Sequence, residues 1–179
     1  MINTKASKRY ASALFDISLE KGNLDVILKD FQLIKDTIGI SREFENVLLS
    51  PIINYSKKNA IFLEIFGDKL DKLTYEFMKL IISKKRDAMT SQIIEEFIVL
   101  YNQHNNLIPV EIITAVELVD ESKNSINSKI STYLNKTIIP NFKVNKNLKG
   151  GIKIQVDDWV FDASIKSKLE GIRESLISN

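Results

Sequence analysis

The sequence predicts a mainly α protein in two parts: an N-terminal six-helix bundle over residues 1–105 and a small α/β module of order β-α-β-β-β-α over residues 106–179. Two observations carry this. Amphipathic helical stripes follow one another with short connections, the pattern of a compact bundle. After Asn105-Asn106 the texture changes to β-branched runs, a paired glycine and an alternating hairpin around the single tryptophan.

Each helix has its own start and stop signals. Residues 7–21 carry Tyr10, Ala13, Leu14 and Ile17 and stop at Lys21-Gly22, a cationic last turn followed by a residue suited to the left-handed cap. The second helix begins at Leu24 with Asn23 as N-cap, and its stripe of Leu24, Ile27, Leu28, Phe31, Ile34 and Ile38 ends at Gly39. Ser41 caps a short third helix through Leu49, which Pro51 ends. Ser56 caps a fourth, up to Gly67. A fifth runs from about Asp71 to Ser83, and a sixth from about Met89 to Asn105 with Ile93, Ile94, Phe97, Leu100 and Tyr101 available for burial.

Residues 108–118 read as a strand, with Pro109 close to its start, where a strand tolerates it. Asp120 caps a helix carrying Ile126, Ile130, Tyr133 and Leu134, and residues 137–144 form a second strand interrupted by Pro140. Gly150-Gly151 separates it from a third, in which Ile152, Ile154 and Val156 alternate with Lys153 and Gln155. Asp157-Asp158 turns the chain into residues 159–161, and Asp162 begins the last helix, whose Ile165, Leu169, Ile172 and Leu176 share one stripe.

Composition narrows the chemistry. At 179 residues and 44% hydrophobic content there is enough apolar material for a core. The 25 Lys and Arg against 23 Asp and Glu give a net charge of +2, far from the one-sided balance of a chain that neutralises many phosphates. No nucleic-acid partner is therefore expected. Without cysteine there is no disulfide, thiolate metal site or cysteine nucleophile, and one histidine excludes a multi-histidine site. The start, M-I-N-T-K-A-S-K-R-Y, lacks a signal-peptide core, and no apolar run is long enough to span a bilayer, so direct membrane insertion is not expected.

The candidate sites mostly have structural readings. Asp157, Asp158 and Asp162 fall at a turn and a cap, where they do not converge as metal ligands. His104 has no nucleophile motif or second histidine to work with. Gly150-Gly151 lacks the Lys-Ser/Thr pair of a phosphate loop. Lys57-Lys58 and Lys84-Lys85-Arg86 read as solvated helix ends, and Trp159 as a core residue on a strand. No catalytic residue, cofactor or metal is expected. The first helix, with Ala6, Tyr10, Ala11, Ala13, Leu14, Phe15, Ile17 and Leu19, has more apolar circumference than one core-facing stripe requires. The fifth, with Phe77, Met78, Leu80, Ile81 and Ile82, is similar. Either both helices are central in the bundle, or together they side a groove for an amphipathic helix of another protein.

Five segments, in order along nearly the whole chain, resemble a known family. They are K-R-Y-A-S-A-L-F from Lys8, S-P-I from Ser50 followed by Lys57, S-K-K-R from Ser83, I-T-A-V-E-L from Ile113, and G-G-I-K-I from Gly150 through D-A-S-I-K-S-K-L. Together they resemble the delta subunit of F-type ATP synthases, whose mitochondrial counterpart is the oligomycin-sensitivity-conferring protein. Two departures are Asp157, where the family usually has glycine, and Asp162-Ala163-Ser164, where Asp-Gly-Ser is common.

The resemblance implies a non-catalytic stator that links the alpha/beta head to the peripheral-stalk b subunits, peripheral to the cytoplasmic face of a bacterial inner membrane or the stromal face of a thylakoid. It also implies a groove between the first and fifth helices for the N-terminal helix of an alpha subunit, with contacts from Tyr10, Ala13, Leu14, Ile17, Phe77, Leu80 and Ile81. Stalk contact falls on the last module, including Ile165, Leu169, Ile172 and Leu176, unless that stripe is used internally. The alternative is a helical RNA-binding adaptor using the lysine clusters.

Overall fold

The computed structural model describes residues 5–177, without the side chains of 171, 172 and 174–177. The chain runs α1 (Lys5–Lys21), α2 (Leu24–Ile40), α3 (Arg42–Leu49), α4 (Tyr55–Phe66), α5 (Lys72–Ser83), α6 (Thr90–His104), β1 (Leu107–Thr114), α7 (Asp120–Leu134), β2 (Thr137–Val144), β3 (Ile152–Val156), β4 (Trp159–Asp162) and α8 (Ile165–Ile177). It is mostly helical, with a small mixed sheet toward the C-terminus, and it divides into two compact units, Met1–Tyr101 and Asn102–Asn179.

In the first unit the apolar stripes meet around phenylalanine rings. Phe31 of α2 is fully enclosed, with the ring of Phe77 from α5 at 6.1 Å and that of Phe97 from α6 at 5.0 Å. Phe15 of α1 meets Phe97 edge-on at 5.9 Å. A second group joins α3 to α4, with Phe44 5.6 Å from Phe66, which lies 4.7 Å from Phe62. Edge-to-face and tilted geometries of this kind add to the area that the rings remove from water.

Hydrogen bonds fix the helix ends. Ser41 Oγ accepts from the Phe44 amide at 3.2 Å, and Asp71 Oδ1 from the Leu73 amide at 2.8 Å, as N-caps do. Asn54, and not Ser56, caps α4: it holds the extended backbone that a cap needs (φ −73°, ψ 161°), and its Oδ1 accepts from Lys57 N. Asn23 precedes α2, but its side chain makes no capping bond. α2 runs through Gly39 to Ile40, because a glycine near a helix end costs only about 1 kcal/mol relative to alanine. Buried Asp30 ties α2 to the start of α5, its Oδ2 accepting from the Asp71 amide at 2.8 Å and Thr74 Oγ1 at 2.6 Å.

The second unit is a four-stranded sheet of order β2-β1-β3-β4. β1 and β2 are parallel, so they need a crossover, which α7 supplies; β1–β3 and β3–β4 are antiparallel. Register places Val110 opposite Val156 and Ile112 opposite Ile154, and α7 packs Ile126, Ile130 and Leu134 against this face. Pro140 is tolerated because β2 is an edge strand, and Pro109 because β1 pairs with β3 only from Val110 onward.

Three sequence expectations change here. β1 ends at Thr114, short of Leu118, where Thr114 Oγ1 donates to the Val116 carbonyl and turns the chain. Asp120 is the first helical residue of α7 with Val119 at the cap position, so its carboxylate acts on the helix dipole and not as a cap. Asp162 closes β4 and does not start α8. Its Oδ1 accepts from the Ser164 amide at 2.9 Å, while Ser164 Oγ accepts from the Ser167 amide and caps the helix. Those hydrogen bonds from Ser164 hold the Asp162 carboxyl below its ordinary pKa.

The paired glycine is where α8 begins against β3. Gly151 has φ +79°, and a Cβ there would collide with the Ala163 carbonyl oxygen and lie 2.9 Å from Ser164 Cα. At Gly150 (φ +151°) it would meet Ile165 Cδ1 at 2.5 Å, beside the Ile165 N–H bond to the Gly150 carbonyl. Gly22 (φ +67°) has nothing within 4 Å. Gly151→Ala should therefore destabilise the second unit by more than about 2 kcal/mol, through backbone overlap added to strain, and Gly22→Ala the first by about 1 kcal/mol. Urea unfolding followed by Trp159 fluorescence and by helical circular dichroism reads the two, and equal losses would contradict the close packing at Gly151.

Candidate protein-docking surfaces

On α1 the side chains of Ser7, Ala11, Leu14 and Ser18 are buried along one stripe. Ala6, Tyr10, Ala13 and Ile17, at steps of four, three and four, make the adjoining stripe on the same side of the helix. Of these, Ile17 is 41% exposed and Ala13 is exposed, while Tyr10 is half-buried against the core. On α5, Thr74, Phe77, Met78, Ile81 and Ile82 are buried, and Leu80 is 45% exposed. Phe15 on Phe97 and Phe77 on Phe31 anchor α1 and α5 to the shared neighbours α6 and α2.

The seven residues singled out on these helices thus divide into two sets. Leu14, Phe77 and Ile81 belong to the core, and Tyr10, Ala13, Ile17 and Leu80 reach the surface. Leu73, seven residues before Leu80 on the same side of α5, is half-buried against the core.

The second unit has an apolar concavity of about 450 Å³, lined by Ile130, Tyr133 and Leu134 of α7 and by Ile154, Val156, Trp159 and Phe161 of the sheet, with Lys129 at its margin. Trp159 is not the core residue expected. It is 52% exposed and stacks on Phe161 with ring centres 6.0 Å apart. The two-residue turn puts Trp159 opposite Val156, on the face that α7 packs against, but β4 is the outermost strand on that side. On α8, Ile165 and Leu169 are about half exposed, while the side chains of Ile172 and Leu176 lie outside the described residues.

The basic groups also divide. Lys57, Lys84, Lys85 and Arg86 are exposed, but Lys58 is buried, which corrects its reading as a solvated helix end. Its Nζ donates to the Leu48 carbonyl at 3.0 Å and pairs with the buried carboxylate of Asp87, so α4 is joined to the C-terminus of α3 and the turn before α6. His104 ends α6, and Asp157 (φ +50°) and Asp158 make the β3–β4 turn. Among the described residues no group of three or more His, Cys, Asp and Glu side chains could hold a metal ion, and no helix is long and apolar enough to cross a membrane.

Both units thus keep apolar side chains at their surfaces. The family model for the ATP synthase delta (OSCP) subunit matches residues 6–176, spanning both units. A subunit delta of ATP synthase from Chlorobium phaeobacteroides (strain DSM 266) is 36% identical over 99% of this chain and 98% of its own. One from Chlorobaculum tepidum is 34% identical over the same shares. A chain in the cryo-EM structure of the Toxoplasma gondii mitochondrial ATP synthase hexamer shares the fold, with TM-score 0.76 at 18% identity over 97% of this chain and 98% of that one. The chain therefore belongs to the ATP synthase delta (OSCP) subunit family, whose members are non-catalytic subunits of ATP synthase. Nothing in these matches supports an RNA-binding adaptor.

The buried ion pair generates a prediction. Lys58→Met strands the Asp87 carboxylate and should cost about 3–5 kcal/mol, whereas Lys58→Met with Asp87→Leu should recover more than half of that loss. Urea unfolding followed by helical circular dichroism measures both. A single variant within about 1 kcal/mol of wild type would show that the pair is solvated.

Proposed function

We propose that this chain is the stator subunit that links the alpha/beta catalytic head of a proton-translocating F-type ATP synthase to the peripheral-stalk b subunits. The observation that carries the reading is a family match extending over both units, each of which keeps apolar side chains at its own surface. In this reading the first unit is a six-helix bundle that takes the N-terminal helix of an alpha subunit along α1 and α5. Tyr10, Ala13, Ile17 and Leu80 touch that helix, and Leu14, Phe77 and Ile81 shape the floor beneath them. The second unit, β-α-β-β-β-α, holds the stalk, with the α8 stripe of Ile165, Leu169, Ile172 and Leu176 as the surface first suggested by the sequence.

The mechanism is mechanical. A rotor driven by proton flow drags the head with it unless a static link resists the torque, and without that link no nucleotide chemistry is coupled to the flow. Two units in one chain make the second engagement intramolecular, so two moderate contacts give one strong attachment. The chain needs no cofactor, nucleic acid or membrane insertion for this work; it is peripheral to the membrane through the complex.

Calorimetric titration of the full chain with a peptide of the alpha N-terminal helix tests the head contact. One-to-one binding with a negative heat-capacity change is expected, weakened at least about tenfold by Ile17→Asp or Leu80→Asp. Both positions are exposed, so the variants should keep wild-type circular dichroism. Unchanged affinity in both would remove the groove assignment.

A further inference from the structure

The concavity of the second unit lies between α7 and the outer two strands of the sheet, β3 and β4. Neighbouring strands lie about 4.8 Å apart, so β3 and β4 present a strip about 10 Å wide, close to the separation of two packed helices. α7 covers Val110, Ile112 and Val156 on the same face. Ile154, Trp159 and Phe161 continue that face beyond it, with Tyr133, 81% exposed, standing along the border. Exposed aromatic side chains gathered in one hollow are unlike the scattered apolar residues of an ordinary surface.

The charges give the hollow a direction. Val156 pairs with Val110 near the start of β1, so the Asp157-Asp158 turn lies at that end of the sheet. α7 finishes at the same end, because Leu134 leads into Thr137, the partner of Leu107. Two carboxylates and the negative end of a helix dipole therefore sit together, a setting that favours the positive N-terminus of another helix. Lys136 lies beside β2, with β1 between it and β3, and Lys129 lines the hollow further back along α7.

We infer that this hollow takes one amphipathic α-helix from a partner protein, laid antiparallel to α7 with its N-terminus at the Asp157-Asp158 turn and an acidic side chain facing Lys129. The inference rests on reading the second unit as the stalk attachment, and it moves that attachment from α8 to the face between α7 and β4.

The chain supplies its own probes, since Trp159 is its single tryptophan and it has no cysteine. The full chain is titrated with a soluble, tryptophan-free C-terminal segment of the stalk b subunit from the same synthase. Trp159 emission should shift to the blue, and Tyr133→Asp and Phe161→Asp should each weaken binding by about tenfold or more, while Val144→Asp, exposed at the end of edge strand β2, changes it less than about twofold. Asp158→Cys should form a disulfide with a cysteine in the first turn of the docked helix and not in its last. Calorimetric binding without a Trp159 shift, and indifferent to Tyr133→Asp, would overturn the inference and leave the stator reading standing. Cross-linking only to the last turn would overturn the orientation. A Trp159 shift on concentrating the chain alone would assign the hollow to a second copy. Failure of the stalk segment to bind at all would sink the stalk reading, and this inference with it.

Discussion

The constraint on which the first unit depends is that α1 and α5 each give one stripe of side chains to the core and keep apolar side chains beside it at the surface. Phe31 makes this workable. Enclosed between Phe77 of α5 and Phe97 of α6, with Phe15 of α1 also against Phe97, it gathers four helices around one ring cluster. Ile17 and Leu80 are then free to stay half in water. A Phe-to-Ala loss in such a cluster costs about 3–5 kcal/mol, a large share of the stability of an ordinary domain.

Polar groups inside the first unit fix which helices meet. Asp30 satisfies two donors at the start of α5, and Lys58 reaches both the end of α3 and Asp87. An apolar pair would fill the space as well; the bonded groups accept one arrangement of helices and penalise others. The second unit uses backbone geometry for the same end. Gly150 and Gly151 let the first turn of α8 approach so closely that side chains would exclude it, and Ser164 then caps that helix.

Periodicity made the helices and strands readable because each has an apolar face recurring at its own spacing, and Ser41 and Asp71 declared themselves as caps by residue type. The choice between Asn54 and Ser56 was not readable, since both side chains accept and only backbone conformation decides. Lys58 was misread for a related reason: its partner Asp87 lies far along the chain, and no local pattern announces a buried pair. Trp159 was misjudged because strand alternation gives the face of a residue and not the reach of the helix above it. The concavity of the second unit needed the register across the turn, which alternation in β3 and a two-residue connection nearly supply.

A stator made of one covalent chain holds its two attachments together only while that chain is whole, so cutting it in place is the most direct test of the proposed role. A protease site inserted between Asn105 and Asn106, near the division of the two units, leaves assembly intact until cleavage. In membranes carrying the assembled synthase, ATP-driven proton pumping should be normal before the cut and lost after it, while ATP hydrolysis by the head continues. Pumping that survives complete cleavage would contradict the stator role assigned to this chain.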